Sequence, residues 1–288
     1  MKRKTRIKNY LKNNPPVNLR KDINAAYKRT DAADKDAQRQ IDRMYTNAID
    51  ALIGKITGFQ ERYKITSYAD AKKYGRLQSL FEALDERING LSLEQRKLLG
   101  LQRIKTFKTA YADTSEAYSG ALGVSFGGPN KKALEAFKEM PVLGADIKSL
   151  TDQQRRNLAN RVRREVTQGL VLGESPLTIA RRIAKAGKIA RHHAVALART
   201  NVIAAHGQAV LNFKEDNKDV FTGVRWFTQL DERTCPICAP RHLRSYYKQV
   251  PDHPAHFNCR CALNPIAEPA IQKVLDGQTS RIKPEVAA

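Results

Sequence analysis

The residues best suited to chemistry lie in one short C-terminal segment that holds all four cysteines of the chain. Cys235 and Cys238 are separated by two residues, a spacing that lets both thiolates bind one tetrahedral ion from a tight turn. His256, Cys259 and Cys261 follow after a loop of ordinary length for a zinc-ribbon-like site. A disulfide framework would spread its cysteines along the chain, so this clustering predicts a single metal site in a reducing compartment.

The second half of the segment offers one more donor than a tetrahedral site needs. If it repeats the tight turn, His256 and Cys259 are the ligands; if it is a strand, Cys259 and Cys261 project to the same face. His253 is a further candidate. Thiolates with an optional imidazole favour zinc over an iron–sulfur cluster, and two ligand pairs leave no open position for water. The pattern therefore favours a structural zinc over a catalytic one.

The cysteines also allow roles that involve no metal. They could be reduced structural thiols or form a local disulfide. A nucleophilic cysteine activated by His242, His253 or His256 is disfavoured, because a lone cysteine suits that chemistry better than a cluster of four. The glycine-rich stretch at 118–129 lacks the Gly-Lys-Ser/Thr ending of a P-loop, so it is interpreted as a plain loop.

The charge of the chain points to a polyanionic partner. Its 288 residues carry 51 Lys and Arg against 29 Asp and Glu, a formal net charge of +22. Base-stacking aromatic residues are absent from the arginine-rich helices, so contact with phosphates independent of sequence is expected. No apolar run is long enough to cross a bilayer or to form a signal core, which excludes a membrane or Sec-exported protein. The candidate DNA-binding residues are Lys2, Arg3, Lys4, Arg155, Arg156, Arg163, Arg164, Arg181 and Arg182.

Helical periodicity dominates the part of the chain that positions the cysteine segment. After a flexible or partner-ordered basic arm at 1–20, a long helix is predicted from about 21 to 59. The next helix is predicted to stop at Asn89 and Gly90, and Ser92 to cap another. Farther along, one helix is predicted to begin at Pro176 and end at Gly187, and the next to run from about 190 to 213.

The chain changes character at about residue 220. A short strand or two are predicted at 220–227, followed by the cysteine segment and a tail at 266–288 with one short helix. The predicted fold is mainly α: an elongated helical region at 21–150, then an α+β module at 151–265 with a small zinc-stapled segment.

Several motifs in a fixed order resemble the phage Mu F-like minor head protein family, the head-morphogenesis proteins of tailed phages. They are Ala-Arg-Thr-Asn at 198–201, Trp226, Asp-Glu-Arg-Thr-Cys-Pro-Ile-Cys at 231–238 and Pro-Ala-His-Phe-Asn-Cys-Arg-Cys at 254–261. The resemblance covers about 151–265. Asn201 stands where the family usually has an acidic residue, and Phe257 where proline is common, so no role is assigned to the acidic position.

The resemblance implies a non-enzymatic virion protein of the head interior near the portal vertex, assembled in the host cytoplasm. Its expected partners are the portal protein, the major capsid or scaffolding protein, and packaged double-stranded DNA held through phosphates. The helical region at 21–150 would then dock onto the head or portal proteins. No membrane partner is expected, and roles in DNA packaging and ejection follow from the same resemblance.

Two further functions fit the sequence less well. Asp252 and His253 resemble the start of a His-Asn-His nuclease motif, but such a site needs a further downstream histidine, and His256 is the last in the chain. A regulatory zinc-ribbon DNA-binding protein would leave the long N-terminal helices without a purpose.

Overall fold

A computed structural model describes residues 3–14, 19–65 and 67–279 of the chain. Helices dominate it, and none of those it describes is long and apolar enough to cross a membrane. The helices are α1 Arg3–Asn13, α2 Leu19–Tyr63, α3 Tyr68–Lys72, α4 Arg76–Leu122, α5 Lys131–Glu139, α6 Ile147–Val171, α7 Pro176–Asp216 and α8 Pro269–Thr279.

A small antiparallel sheet follows α7. Its strands are β1 Phe221–Phe227, β2 Ser245–Tyr246 and β3 Ala262–Ala267, in the order β2-β1-β3. The central strand β1 was predicted from its Val, Phe and Trp content, and this prediction is confirmed. The cysteine segment occupies the connections between the three strands, so the sheet holds both halves of that segment on one framework.

The chain forms two compact units that are not consecutive in sequence. The first comprises the described residues within 1–35, 101–144 and 199–279, and the second comprises 36–100 and 145–198. The segments expected to have separate functions, 21–150 and 151–265, each contribute to both units. That functional division therefore stays a prediction.

The core of the first unit is built largely from aromatic side chains. Phe213 and Phe221 pack at 5.1 Å between ring centroids, and Tyr118 contacts both rings. The Tyr118 hydroxyl donates to the Pro265 carbonyl at 2.8 Å, which ties α4 to β3. Offset and edge-on aromatic pairs of this kind add stabilisation beyond the area they bury.

The second unit is a helical bundle whose core follows the predicted apolar stripes. Ile41, Leu52 and Ile56 of α2 are fully buried, as are Leu84 of α4 and Val162 of α6. These positions recur at helical spacing, and each helix buries one face. The long helix predicted at 21–59 is confirmed, with bounds a few residues wider.

Of the two alternatives for the basic arm at 1–20, flexible or partner-ordered, the flexible one is wrong for the residues that the structure describes. Arg3–Asn13 is helix α1, and Ile7 is fully buried in the aromatic core. Lys4 and Lys8 both pair with Glu268 at 2.9 Å. A run of basic residues indicates an unpaired arm only if no carboxylate packs against it. The partner Glu268 lies far away in the sequence, so the residues near the arm could not reveal it.

The predicted helix end at Asn89–Gly90 and cap at Ser92 are also wrong, since α4 continues unbroken to Leu122. Ser92 is buried, and its hydroxyl donates to the Thr151 carbonyl at 3.4 Å. Gln95 accepts a hydrogen bond from Tyr45 at 2.9 Å. Both polar side chains bind neighbouring helices instead of capping their own, and sequence spacing alone could not distinguish these two uses.

The same error occurs at Gly187, which was expected to end a helix but lies inside α7. A Cβ at this position would meet Ile49 Cδ1 at 2.3 Å, so only glycine allows α2 and α7 to approach so closely. The glycine is there for helix packing and not for termination.

Candidate metal centre

The first half of the cysteine segment forms the tight turn that its spacing predicted. The Cys238 amide lies 3.3 Å from Cys235 Sγ, and the Ala239 amide donates to the Cys235 carbonyl at 3.0 Å. The turn leads into the short 3₁₀ helix Ala239–Arg241. Because the backbone folds back on the Cys235 sulfur, both thiols point to the same side.

The second half forms a comparable turn. The Cys259 amide donates to the His256 carbonyl at 3.2 Å, and Asn258 adopts a positive φ of 63°, a conformation that asparagine tolerates. Helix α7 holds this turn in place, since the Asn258 amide donates to the Thr200 hydroxyl at 3.0 Å. The second half therefore has the geometry of the turn alternative, and Cys261 lies just before β3.

The five predicted ligands form two overlapping triplets that share Cys238. His256 Nε2 lies 3.1 Å from Cys235 Sγ and 3.2 Å from Cys238 Sγ. The sulfurs of Cys238 and Cys259 are 3.9 Å apart, and Cys261 completes the buried triplet within 4.8 Å. This donor set of thiols and one imidazole could hold a metal ion.

The orientation of the imidazole suits metal binding. His256 Nδ1 donates to the Phe257 carbonyl at 2.7 Å, which leaves Nε2 facing Cys235 and Cys238. Histidine ligands in metal sites are usually held by such a bond from the nitrogen that does not bind the metal.

Burial keeps part of this cluster protonated in the absence of a cation. It raises the pKa of the Cys238 thiol to about 12. The Cys259 thiol donates to the sulfur of Cys261, which raises the pKa of Cys259 and lowers that of Cys261. The Thr228 hydroxyl, 3.5 Å from Cys261 Sγ, acts in the same direction on Cys261. A bound cation would replace these protons, so metal affinity should fall as pH falls.

An ion pair joins the two halves of the segment outside the ligand cluster. Both oxygens of Asp231 accept hydrogen bonds from Arg260 at 2.6 Å, in bidentate geometry. Asp231 Oδ1 also accepts from the Arg233 amide at 3.0 Å, so it orders the turn before Cys235. The Arg260 guanidinium lowers the pKa of Asp231 well below its usual range.

His253 supports the cluster from the side of α7. Its Nε2 donates to the Cys261 carbonyl at 3.0 Å, and its ring packs edge-on against Trp226 at 4.9 Å between centroids. Gly207 faces the other side of the ring, where a Cβ would lie 2.1 Å from His253 Nδ1. Burial lowers the pKa of His253 to about 3, so the imidazole is neutral.

Most of the predicted DNA-binding residues lie within 4 Å of a carboxylate of the same chain. Lys2 lies outside the described residues, and within them only two of the candidates, Arg156 and Arg181, have no carboxylate partner. The pairs are Arg3–Asp219, Lys4–Glu268, Arg155–Asp152, Arg163–Asp85, Arg164–Glu165 and Arg182–Glu174. Each of these six side chains has a carboxylate within 4 Å, although Asp152, Glu165 and Glu268 are each shared with at least one other basic residue.

Several residues that support the cluster were given no role by the sequence analysis, although most of them belong to its motifs. Thr200 belongs to the Ala-Arg-Thr-Asn run, and it holds the second turn. Asp231 and Arg260 form the bidentate pair, whose partners lie 29 positions apart. Asn201, at the position of the expected acidic residue, is 1% exposed within α7. Only Gly207 carried no signal, because one glycine inside a helix does not reveal what packs against it.

Comparison with known proteins agrees with the resemblance drawn from the motifs. Residues 160–264 match the family described as Phage Mu protein F like protein, which confirms the resemblance over that segment. The chain is also 24% identical over 280 residues to minor head protein GP7 of Bacillus phage SPP1, covering 86% of this chain and 89% of the relative. No solved structure matches the chain significantly.

Proposed function

We propose that this chain, which matches the Phage Mu protein F like family at 160–264, is a minor head protein of a tailed bacteriophage. The observation that carries this proposal is the similarity to GP7 of phage SPP1, because it extends over most of both chains and not only the cysteine segment. The function is structural: the protein acts in head morphogenesis, and the cysteine segment shapes its C-terminal part.

The proposed role of the metal is to stabilise a segment with a small core. Zinc would be held by Cys235, Cys238 and His256, with the fourth ligand from Cys259 or Cys261. The cysteines pack with Trp226 and a few aliphatic residues, and long loops connect the strands around them. Structural zinc contributes on the order of 10 kcal/mol in small zinc peptides at neutral pH, enough to decide whether such a segment folds.

The proposed site of action is the head interior near the portal vertex. The portal protein is the expected docking partner, with the major capsid or scaffolding protein as neighbours during assembly in the host cytoplasm. Packaged DNA would contact the chain through its phosphates, which the net charge of +22 supports. Such contact would be independent of sequence and would let the protein act in DNA packaging and ejection.

The experiment that tests the structural role is quantitative mass spectrometry of purified virions and procapsids from infected cells. Recovery with portal and capsid subunits at a constant ratio is expected, together with about one zinc per chain in the purified protein. A protein found only in the free cytosolic pool would refute the proposal.

The nuclease alternative finds little support in the geometry. His253, its expected catalytic residue, is bonded to the Cys261 carbonyl and packed between Trp226 and Gly207. A catalytic base must reach its substrate, whereas this imidazole is enclosed. Incubation of plasmid DNA with the protein and magnesium or manganese should leave the plasmid intact.

A further inference from the structure

The exposed face of α7 carries three basic residues that are separate from the ion-paired arginines. Arg181, Lys185 and Lys188 are all exposed, and their spacing of four and three residues puts them on one side of the helix. Ile179 and Ile183, fully buried, mark the opposite side. We call Arg181, Lys185 and Lys188 the basic stripe.

The basic stripe differs from its neighbours in having no carboxylate to neutralise it. Within the part of the chain that the structure describes, none of its three residues makes an ion pair or a side-chain hydrogen bond. The adjacent Arg182, by contrast, binds Glu174 at 2.6 Å and Glu165 at 3.3 Å.

The sequence of α7 explains this difference. Between Glu174 and Glu215 the chain contains no acidic residue, so no carboxylate on the helix itself can approach the stripe. Glu174 is already bound to Arg182, and Asp42 of α2 pairs with Arg191 farther along α7. These carboxylates therefore pair with basic residues beside the stripe, and the outward face of α7 keeps its positive charge.

We propose that the basic stripe is the surface through which this protein holds the phosphates of double-stranded DNA. This inference rests on the DNA contact proposed above and assigns it to residues of one helix. The ion-paired arginines Arg155, Arg163 and Arg182 then stabilise the fold and contribute little to binding. Three cations spread over about 10 Å of helix match a polyanion with one charge per about 1.7 Å of duplex axis.

The test compares two triple variants that remove the same charge from the same unit. The stripe variant is Arg181→Gln, Lys185→Gln and Lys188→Gln, and all three changes keep good helix formers at exposed positions. The control variant is Lys55→Gln, Arg62→Gln and Lys97→Gln, at exposed positions on α2 and α4. Both lower the net charge by three, so a difference between them reports on position and not on total charge.

Binding of the full chain to two unrelated DNA duplexes of equal length is measured by fluorescence anisotropy at several salt concentrations. Each lost phosphate contact should reduce the slope of log K against log salt by about 0.9, or about 2.7 for three. The stripe variant should lose at least about ten-fold in affinity at 0.1 M salt on both duplexes, and the control less than about three-fold. Unchanged circular dichroism and Trp226 emission would show that each variant is folded.

The outcomes separate the two proposals. If the wild-type protein binds DNA and the stripe variant behaves like the control, the stripe is refuted while the DNA contact survives. If the wild-type protein binds neither duplex at low salt, both the DNA contact and the stripe are refuted. Loss of binding to one duplex only would contradict phosphate recognition, because phosphates carry no sequence.

Discussion

Replacing Gly207 with alanine should destabilise the protein, although alanine is normally the better residue inside a helix. The new Cβ would lie 2.1 Å from His253 Nδ1 and 2.8 Å from its Cε1. The ring cannot simply move away, because Trp226 packs against it and the Cys261 carbonyl holds its Nε2.

The magnitude follows from three contributions. Overpacking of a buried site costs about 1–3 kcal/mol, and loss of the hydrogen bond to the Cys261 carbonyl costs about 1 kcal/mol. The better helix propensity of alanine stabilises the folded state by about 1 kcal/mol and so offsets part of this loss. Gly207→Ala should therefore lower the free energy of unfolding by about 1–3 kcal/mol.

Gly120→Ala is the matched control within the same unit. Gly120 lies in α4, and a Cβ there would meet nothing within 4 Å. This substitution should be neutral or stabilise by up to about 1 kcal/mol. Chemical denaturation followed by the emission of Trp226, the single tryptophan of the chain, measures both variants.

A coupled variant identifies His253 as the cause. In a His253→Ala background the ring is gone, so Gly207→Ala should cost much less than in the wild-type protein. Equal costs in the two backgrounds, or a Gly207→Ala protein as stable as the Gly120→Ala protein, would refute the reasoning.

Three further predictions concern the candidate metal site, the Asp231–Arg260 ion pair and the buried imidazole of His206. Cys238→Ala should abolish zinc binding measured by elemental analysis, since Cys238 belongs to both triplets. Removing zinc from the wild-type protein with a chelator should lower its melting temperature as much as Cys238→Ala does. Asp231→Asn should destabilise the protein at neutral pH; the ion pair lowers the folded-state pKa of Asp231, so the difference from wild type should begin to shrink as the pH falls below about 4 and vanish in stronger acid. Burial lowers the pKa of His206 to about 4, so denaturation curves should show stability falling by up to about 1.4 kcal/mol per pH unit as the pH drops from about 6.5 to 4, and less so in His206→Leu.

The cluster of cysteines and His256 was predictable because its spacing is local. Two-residue spacing allows Cys235 and Cys238 to share one tight turn, and the structure shows this turn at both Cys235–Cys238 and His256–Cys259. Which of the five donors come together was open in the sequence, and the structure brings all five within reach of Cys238. The long helices were visible as periodic apolar patterns, and β1 was visible from its Val, Phe and Trp content.

Features that depend on which helices become neighbours were decided only by the tertiary structure. Ser92 and Gly187 were interpreted as helix boundaries. In the structure Ser92 donates a hydrogen bond to Thr151, and Gly187 leaves room for the Ile49 side chain to pack against α7. Basic residues look alike in a sequence, but the pairing of Lys4 and Lys8 with Glu268 and of Arg163 with Asp85 depends on carboxylates far away in the chain. Sequence spacing fixes geometry over a turn or two, whereas the neutralisation of a charge depends on residues that can lie anywhere along the chain.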